Sequence, residues 1–266
     1  MQAPIAQVIA LTVTGNAFLQ GKDIGRFWPE GSTFQFCSTV QFDVGPGHSN
    51  RLVANSPLIW FDYLRSFSGL RLHALTRDMG SRSGLMGVGF VGGIRWVIET
   101  IGGNATECWE GVWRPGDREA PDRRIWTVDY HHIQDLRAPL AEPLDSLTAA
   151  RDRLALALEA IEEFAAQNAL GFVDYFRNGL SALTSDQPME HAYHKDLAPP
   201  DFLKPLALRL IAACQAAWVF GGMGWWNDGA YGGELAPEGD PLSKELFEAL
   251  QQALVAAANS SFSPAE

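Results

Sequence analysis

The chain reads as an α+β protein, with an antiparallel sheet in its N-terminal half packed against a helical C-terminal half. Three observations predict this. Up to about residue 138, several short segments alternate apolar and polar residues at period two, as half-buried strands do. Beyond residue 144 the apolar residues recur at three- and four-residue intervals instead, as on the buried stripe of a helix. Between the two, Pro139 and Pro143 punctuate a linker. The chain accordingly divides into a strand-rich half, 1–138, and a helical half, 144–259, either as two units or as one integrated domain.

Residues 5–14 are rich in β-branched side chains and end at Gly15-Asn16, which predicts a strand and a turn. Residues 33–44 give the clearest strand, with Phe34, Phe36, Val40, Phe42 and Val44 on one face and Gln35, Thr39, Gln41 and Asp43 on the other. Gly45-Pro46-Gly47 stops it. Pro57 opens a short helix over 58–64, residues 70–76 alternate like a strand, and the glycine-rich stretch 79–93 is irregular. Strands over 94–101, 106–113 and 124–133 form an antiparallel meander. Gly102-Gly103-Asn104 makes the first tight turn, and residues 114–123 make a longer charged connection.

In the second half, Asp145 or Ser146 caps a helix running to Asn168, with Leu147, Leu154, Leu158, Ile161 and Ala165 as its stripe. A second helix covers 172–183. A polar loop over 184–200 ends in Pro199-Pro200, and Asp201 starts an apolar helix that Gly221-Gly222 stops. The last helix has Asp240 as N-cap, Pro241 in its first turn and Leu242, Leu246, Leu250 and Leu254 as its buried stripe.

Composition narrows the function classes. The 266 residues are 47% hydrophobic and 19% charged, enough for a large core. The 31 acidic against 20 basic residues leave a net charge of -11, which repels nucleic acid and offers no basic patch to anionic lipid. The first basic residue is Lys22, so the N-terminus lacks the basic region of a secretion signal. No apolar run reaches the roughly 18 residues that cross a bilayer. Cys37, Cys108 and Cys214 fit no zinc-binding spacing and read as buried thiols of a reducing compartment. A cytoplasmic location, with no cofactor and no metal, is expected.

Motifs that could carry chemistry are weak. Gly87-Val88-Gly89-Phe90-Val91-Gly92 matches the dinucleotide-binding pattern GxGxxG, but lacks a strand before it and a helix after it. His131 and His132 are adjacent on a strand and point to opposite faces, while His191 and His194 lie in a loop, so no metal set converges. Glu159 and Glu163, one helical turn apart, read as a solvated helix face. Arginine stands where a GxSxG nucleophile would need serine, at Arg82. No catalytic residue is assigned.

The segment from Trp218 to Asp228 is the most unusual. Glycines separate a helix from Trp225-Trp226 and an Asn-Asp pair. Two adjacent tryptophans in a loop must pack on the core, on a ligand or on a partner. The structural expectation is a loop stapled to the β half by Trp225 or Trp226. The binding expectation places Met223, Trp225, Trp226, Asn227 and Asp228 in a contact surface.

This turn, Gly221-Gly222-Met223-Gly224 followed by Trp226-Asn227-Asp228, resembles a motif in bacterial proteins of uncharacterised function, some of them in toxin–immunity neighbourhoods. Trp225 stands where that pattern has a small polar residue. The resemblance covers the C-terminal quarter of the chain and implies a non-enzymatic immunity protein that occludes a toxin. An acidic chain of this kind would suit a basic toxin. The competing expectation is a hydrolase-like enzyme with a pocket between the halves and His132, Asp228 or Glu234 as acid/base groups.

Overall fold

The first segment already departs from expectation. In the computed structural model, which describes residues 1–44, 51–76, 94–102, 107–133, 146–221, 226 and 230–262, residues 5–14 belong to a helix, α1 (Ala3–Leu19). Every residue from Ile5 to Ala17 is buried, so α1 has no wet face and leaves no 3.6-residue pattern. Its β-branched content then mimics a strand. The buried polar groups are satisfied: Thr12 Oγ1 donates to the Val8 carbonyl (2.8 Å), and Gln7 donates to the Thr33 carbonyl (3.1 Å) and accepts from the Tyr130 hydroxyl (2.9 Å).

Among the described residues six strands form one sheet: β1 (Cys37–Val44), β2 (Arg51–Ala54), β3 (Gly69–Thr76), β4 (Ile94–Ile101), β5 (Cys108–Pro115) and β6 (Trp126–His132), in the spatial order β2-β1-β6-β5-β4-β3. The expected meander is present as the antiparallel pairs β4–β5 and β5–β6, whereas β1 joins β6 in parallel. The strand expected over 33–44 is shorter. Residues before Cys37 turn, with Phe34 N donating to Gly31 O (2.9 Å) and Cys37 N to Phe34 O (2.8 Å). The turns take Phe36 off the common face, leaving it 44% exposed while Phe34 is buried. Gly102 has φ 89°, a left-handed conformation that suits glycine at the end of β4. The 79–93 segment lies outside the described residues, as does the linker with Pro139 and Pro143.

The inner face of the sheet is aromatic. Phe42 lies between Trp60 (ring centroids 4.3 Å apart, 7° between planes) and Tyr130 (5.0 Å, 15°). Trp60 comes from α2 (Pro57–Tyr63), capped as expected near Pro57, with the Ser56 hydroxyl accepting from Ile59 N. Adjacent strands supply Trp109, Ile98 and Leu72 to the same core.

The helical half consists of α3 (Leu147–Gln167), α4 (Val173–Thr184), α5 (Pro205–Ala216) and α6 (Ala236–Asn259). Ser146 caps α3, its hydroxyl accepting from Ala149 N at 3.1 Å. α5 starts at Pro205 rather than Asp201, whose φ of 58° is incompatible with helical entry. It ends at Ala216, before Gly221. α6 starts before Asp240: Pro237 takes the first-turn position, and Pro241 lies inside the helix. Pro241 forfeits one intrahelical bond there, and burial of Leu246, Leu250 and Leu254 outweighs it. Gly179 lets α4 approach the end of α5, since a Cβ there would come within 2.9 Å of the Ala217 Cβ.

α1 and α6 both pack against β3 and against each other, so one continuous cluster of buried apolar residues runs from Ile5 to Ala258. Two asparagines complete this join. β3 is an edge strand, and Asn16 of α1 accepts from Leu70 N (2.7 Å) and donates to Leu70 O (2.9 Å). Asn259 of α6 does the same at Leu72 (2.6 and 2.8 Å). The amides stand in for the missing neighbouring strand. Among the described residues, no helix is long and apolar enough to cross a membrane.

Candidate functional site

Of the expected contact residues, Met223, Trp225, Asn227 and Asp228 lie outside the described residues, and Trp226 is core. Trp226 is 1% exposed, its ring surrounded by Phe172 (5.6 Å), Phe176 (5.2 Å), Tyr231 (5.1 Å) and Phe164 (6.4 Å). Its indole N–H donates to Ser243 Oγ (2.6 Å), which meets the Tyr231 hydroxyl at 2.7 Å; that hydroxyl reaches Asp240 Oδ1 at 3.1 Å. The expected staple to the β half is thus corrected: Trp226 fastens the segment to α3, α4 and α6. The α4 side of the bundle offers a pocket of aromatic edges, whereas the sheet's aromatics are occupied by α2. Gly239 makes room for this arrangement, because a Cβ there would meet the Tyr231 ring at 2.5 Å. Burial, and more weakly the Asp240 carboxylate, pushes the Tyr231 phenol up to about 12. A partner cannot touch Trp226 without unpacking it. Beside this anchor, Glu234, Glu238 and Asp240 are exposed around the start of α6.

Of the acid/base residues expected for an enzyme, His132 and Glu234 lie among the described residues. His132 packs against Trp109 on the inner face of the sheet (5.8 Å). Glu234 is exposed in a turn ahead of α6, and no hydrogen bond or ion pair joins the two; Asp228 lies outside the described residues. The GxGxxG segment also lies outside them. Glu163 accepts from Gln167 one turn on, and Glu162 pairs with Arg177. The three cysteines are buried free thiols, and burial pushes Cys37 and Cys108 up to about 11, so neither is a ready nucleophile.

The outer face of the sheet carries cross-strand polar pairs. His131 Nδ1 lies 2.8 Å from Asp43, Gln41 donates to Asp129 (2.7 Å), and Arg114 pairs with the same carboxylate. Arg95 holds Glu110 in a bidentate fork, and His73 meets the buried Glu99 at 2.7 Å. Each charge has an opposite or hydrogen-bonding neighbour, which orders the face and fixes strand register. His131 and His132 do point to opposite faces. Among the described residues, no three His, Cys, Asp or Glu side chains gather as a metal site.

A third cluster had no sequence signal. His194 is buried, its Nδ1 2.8 Å from Ser32 Oγ. Ser32 N donates to Asp196 Oδ2 (2.7 Å), and the hydroxyl donates to Asp196 Oδ1. With its proton directed at Asp196, Ser32 accepts from His194. Serine therefore sits between histidine and aspartate, whereas nucleophile activation needs histidine in the middle. The trio ties the loop before β1 to the loop before α5. Gln215 clamps the His194 backbone from the other side, accepting from its N–H (2.9 Å) and donating to its carbonyl (3.1 Å).

Burial, only partly opposed by Asp196, lowers the His194 pKa below its ordinary value. The unfolded chain then takes up this proton before the folded one as pH falls. Stability from His194 is complete above about pH 6.5, the unfolded value, and declines below it toward the folded value. Urea unfolding at pH 7.5 and 5.5 should show a loss at the lower pH that is smaller in His194→Asn.

Next to His194, a cleft of about 530 Å³ opens between α4, α5 and the loop joining them. No family model, curated protein or solved structure matches the chain, so the functional reading rests on these residues and on the chemistry they make possible.

Proposed function

We propose that this chain is a non-enzymatic binding protein, most concretely an immunity protein that neutralises a basic protein toxin by occlusion. The observation that supports it best is at the start of α6. Glu234, Glu238 and Asp240 are exposed there without an ion pair among the described residues, beside a segment fastened by Trp226. Exposed carboxylates free of a basic neighbour suit a basic surface, which they steer in and orient. The net charge of -11 acts in the same direction. In this reading Met223, Trp225, Asn227 and Asp228 contribute the contact.

Co-expression tests the proposal. A flanking gene whose product arrests growth is expressed with and without this chain. The chain should restore growth. The triple variant Glu234→Lys, Glu238→Lys, Asp240→Lys should lower the association rate with that product by about tenfold or more while keeping its melting temperature. Growth arrest that persists in the presence of the folded chain rules the proposal out.

A further inference from the structure

The cleft beside His194 is lined by polar side chains together with Met1, Pro188 and the small apolar faces of Ala182, Ala192, Ala212 and Ala216. On α4, Tyr175, Asn178 and Ser181 lie one turn apart and face it, while Phe176, Gly179 and Leu183 form the opposite, buried side of the same helix. The loop before α5 contributes His191 and Tyr193, and Gln215 of α5 holds that loop in place through the His194 backbone. Tyr175 and Tyr193 are 43% and 71% exposed, so each presents ring surface to solvent. Gln35 donates to the Tyr193 hydroxyl (3.0 Å) and steadies it from outside.

Two properties define what fits. First, among the described residues no Asp, Glu, Lys or Arg side chain lines the cleft. A charged ligand would lose hydration there without a countercharge. Burial lowers the His194 pKa below its ordinary value, so its ring is mainly neutral at pH 7.5. Second, the amide of Asn178 and the hydroxyl of Ser181 have no hydrogen-bond partner among the described residues. Each of these groups can both donate and accept, as the hydroxyls of a ligand also do. Exposed tyrosine rings add apolar faces for the C–H side of a pyranose. The volume matches small-molecule sites, which span about 300–1,000 Å³.

We infer that this cleft is a binding site for a neutral, polyhydroxylated small molecule of the saccharide class. Asn178 and Ser181 bond its hydroxyls, Tyr175 and Tyr193 cover its faces, and the Ser32–His194–Asp196 tie with the Gln215 clamp keeps the loop wall in place. The site lies on α4 and α5 and is independent of the carboxylates at the start of α6.

The test titrates the full chain at pH 7.5 with glucose, galactose, N-acetylglucosamine and maltose, and with glucose 6-phosphate and glucosamine as charged counterparts. Saturation-transfer NMR and calorimetry read binding. At least one neutral sugar should bind saturably with Kd of about 1 mM or tighter, at least about tenfold better than its charged counterpart. Asn178→Ala, at an exposed position where folding is preserved, should weaken it by about tenfold, and Tyr175→Ala similarly. The inference is overturned if no neutral sugar binds, if the charged counterparts bind as well, or if folded Asn178→Ala binds like the parent chain.

Discussion

Replacing Trp226 with alanine should lower the unfolding free energy by about 3–5 kcal/mol, the range for removing a large aromatic from a packed core. Its ring fills the space between Phe164, Phe172, Phe176 and Tyr231, so truncation leaves a cavity touching three helices. Ser243 loses the indole N–H donor at the same time. Trp226→Phe separates the two contributions. It keeps most of the volume and removes only the N–H donor, and should cost about 1–2 kcal/mol. Urea unfolding of both variants checks this. Equal losses in the two would place the stabilisation in the hydrogen bond and not in the ring.

Asn259→Leu is the second large effect. The substitution conserves bulk but strips the amide that serves both backbone groups of Leu72. A buried polar group left unpaired costs about 1–3 kcal/mol, so a loss of about 2–5 kcal/mol is expected. Hydrogen exchange localises it: the Leu72 amide should lose protection most, and amides facing β4 should change only with global stability. An unchanged Leu72 exchange rate would show that the amide is not the clamp.

The elements legible in the sequence were those with one wet side. α3 exposes Asp152, Glu159 and Glu163 opposite Leu154, Leu158 and Ile161, and Ser146 marks its start. The strands of the meander were legible from alternating residue types alone, since burial along them runs in blocks and does not alternate. α1 was illegible because burial on all sides erases periodicity, which left its β-branched residues to suggest a strand. The start of α6 was misplaced because Pro237 and Pro241 both suit a first turn, and only the tertiary structure chooses between them. At the candidate sites, the need to bury a tryptophan near residue 225 was readable, but not which aromatics would receive it. The Ser32–His194–Asp196 tie spans more than 160 residues, and no local pattern announces a contact at that distance. The polar stripe of α4 drew no reading from the sequence beyond a helix over 172–183, since its cleft depends on α5 and the loop between them.

The two asparagines on β3 also set an order on synthesis. Asn16 precedes Leu70 by 54 residues, so its clamp can close as soon as the strand is made. Asn259 follows Leu72 by 187 residues and emerges from the ribosome only after the rest of the sheet and α3 to α5. Until then the outer side of β3 is half open, with a free donor and acceptor at Leu72 of the kind that recruits a foreign strand. A chain halted before α6 should therefore self-associate through β3, and the last helix acts as the latch that ends this exposure.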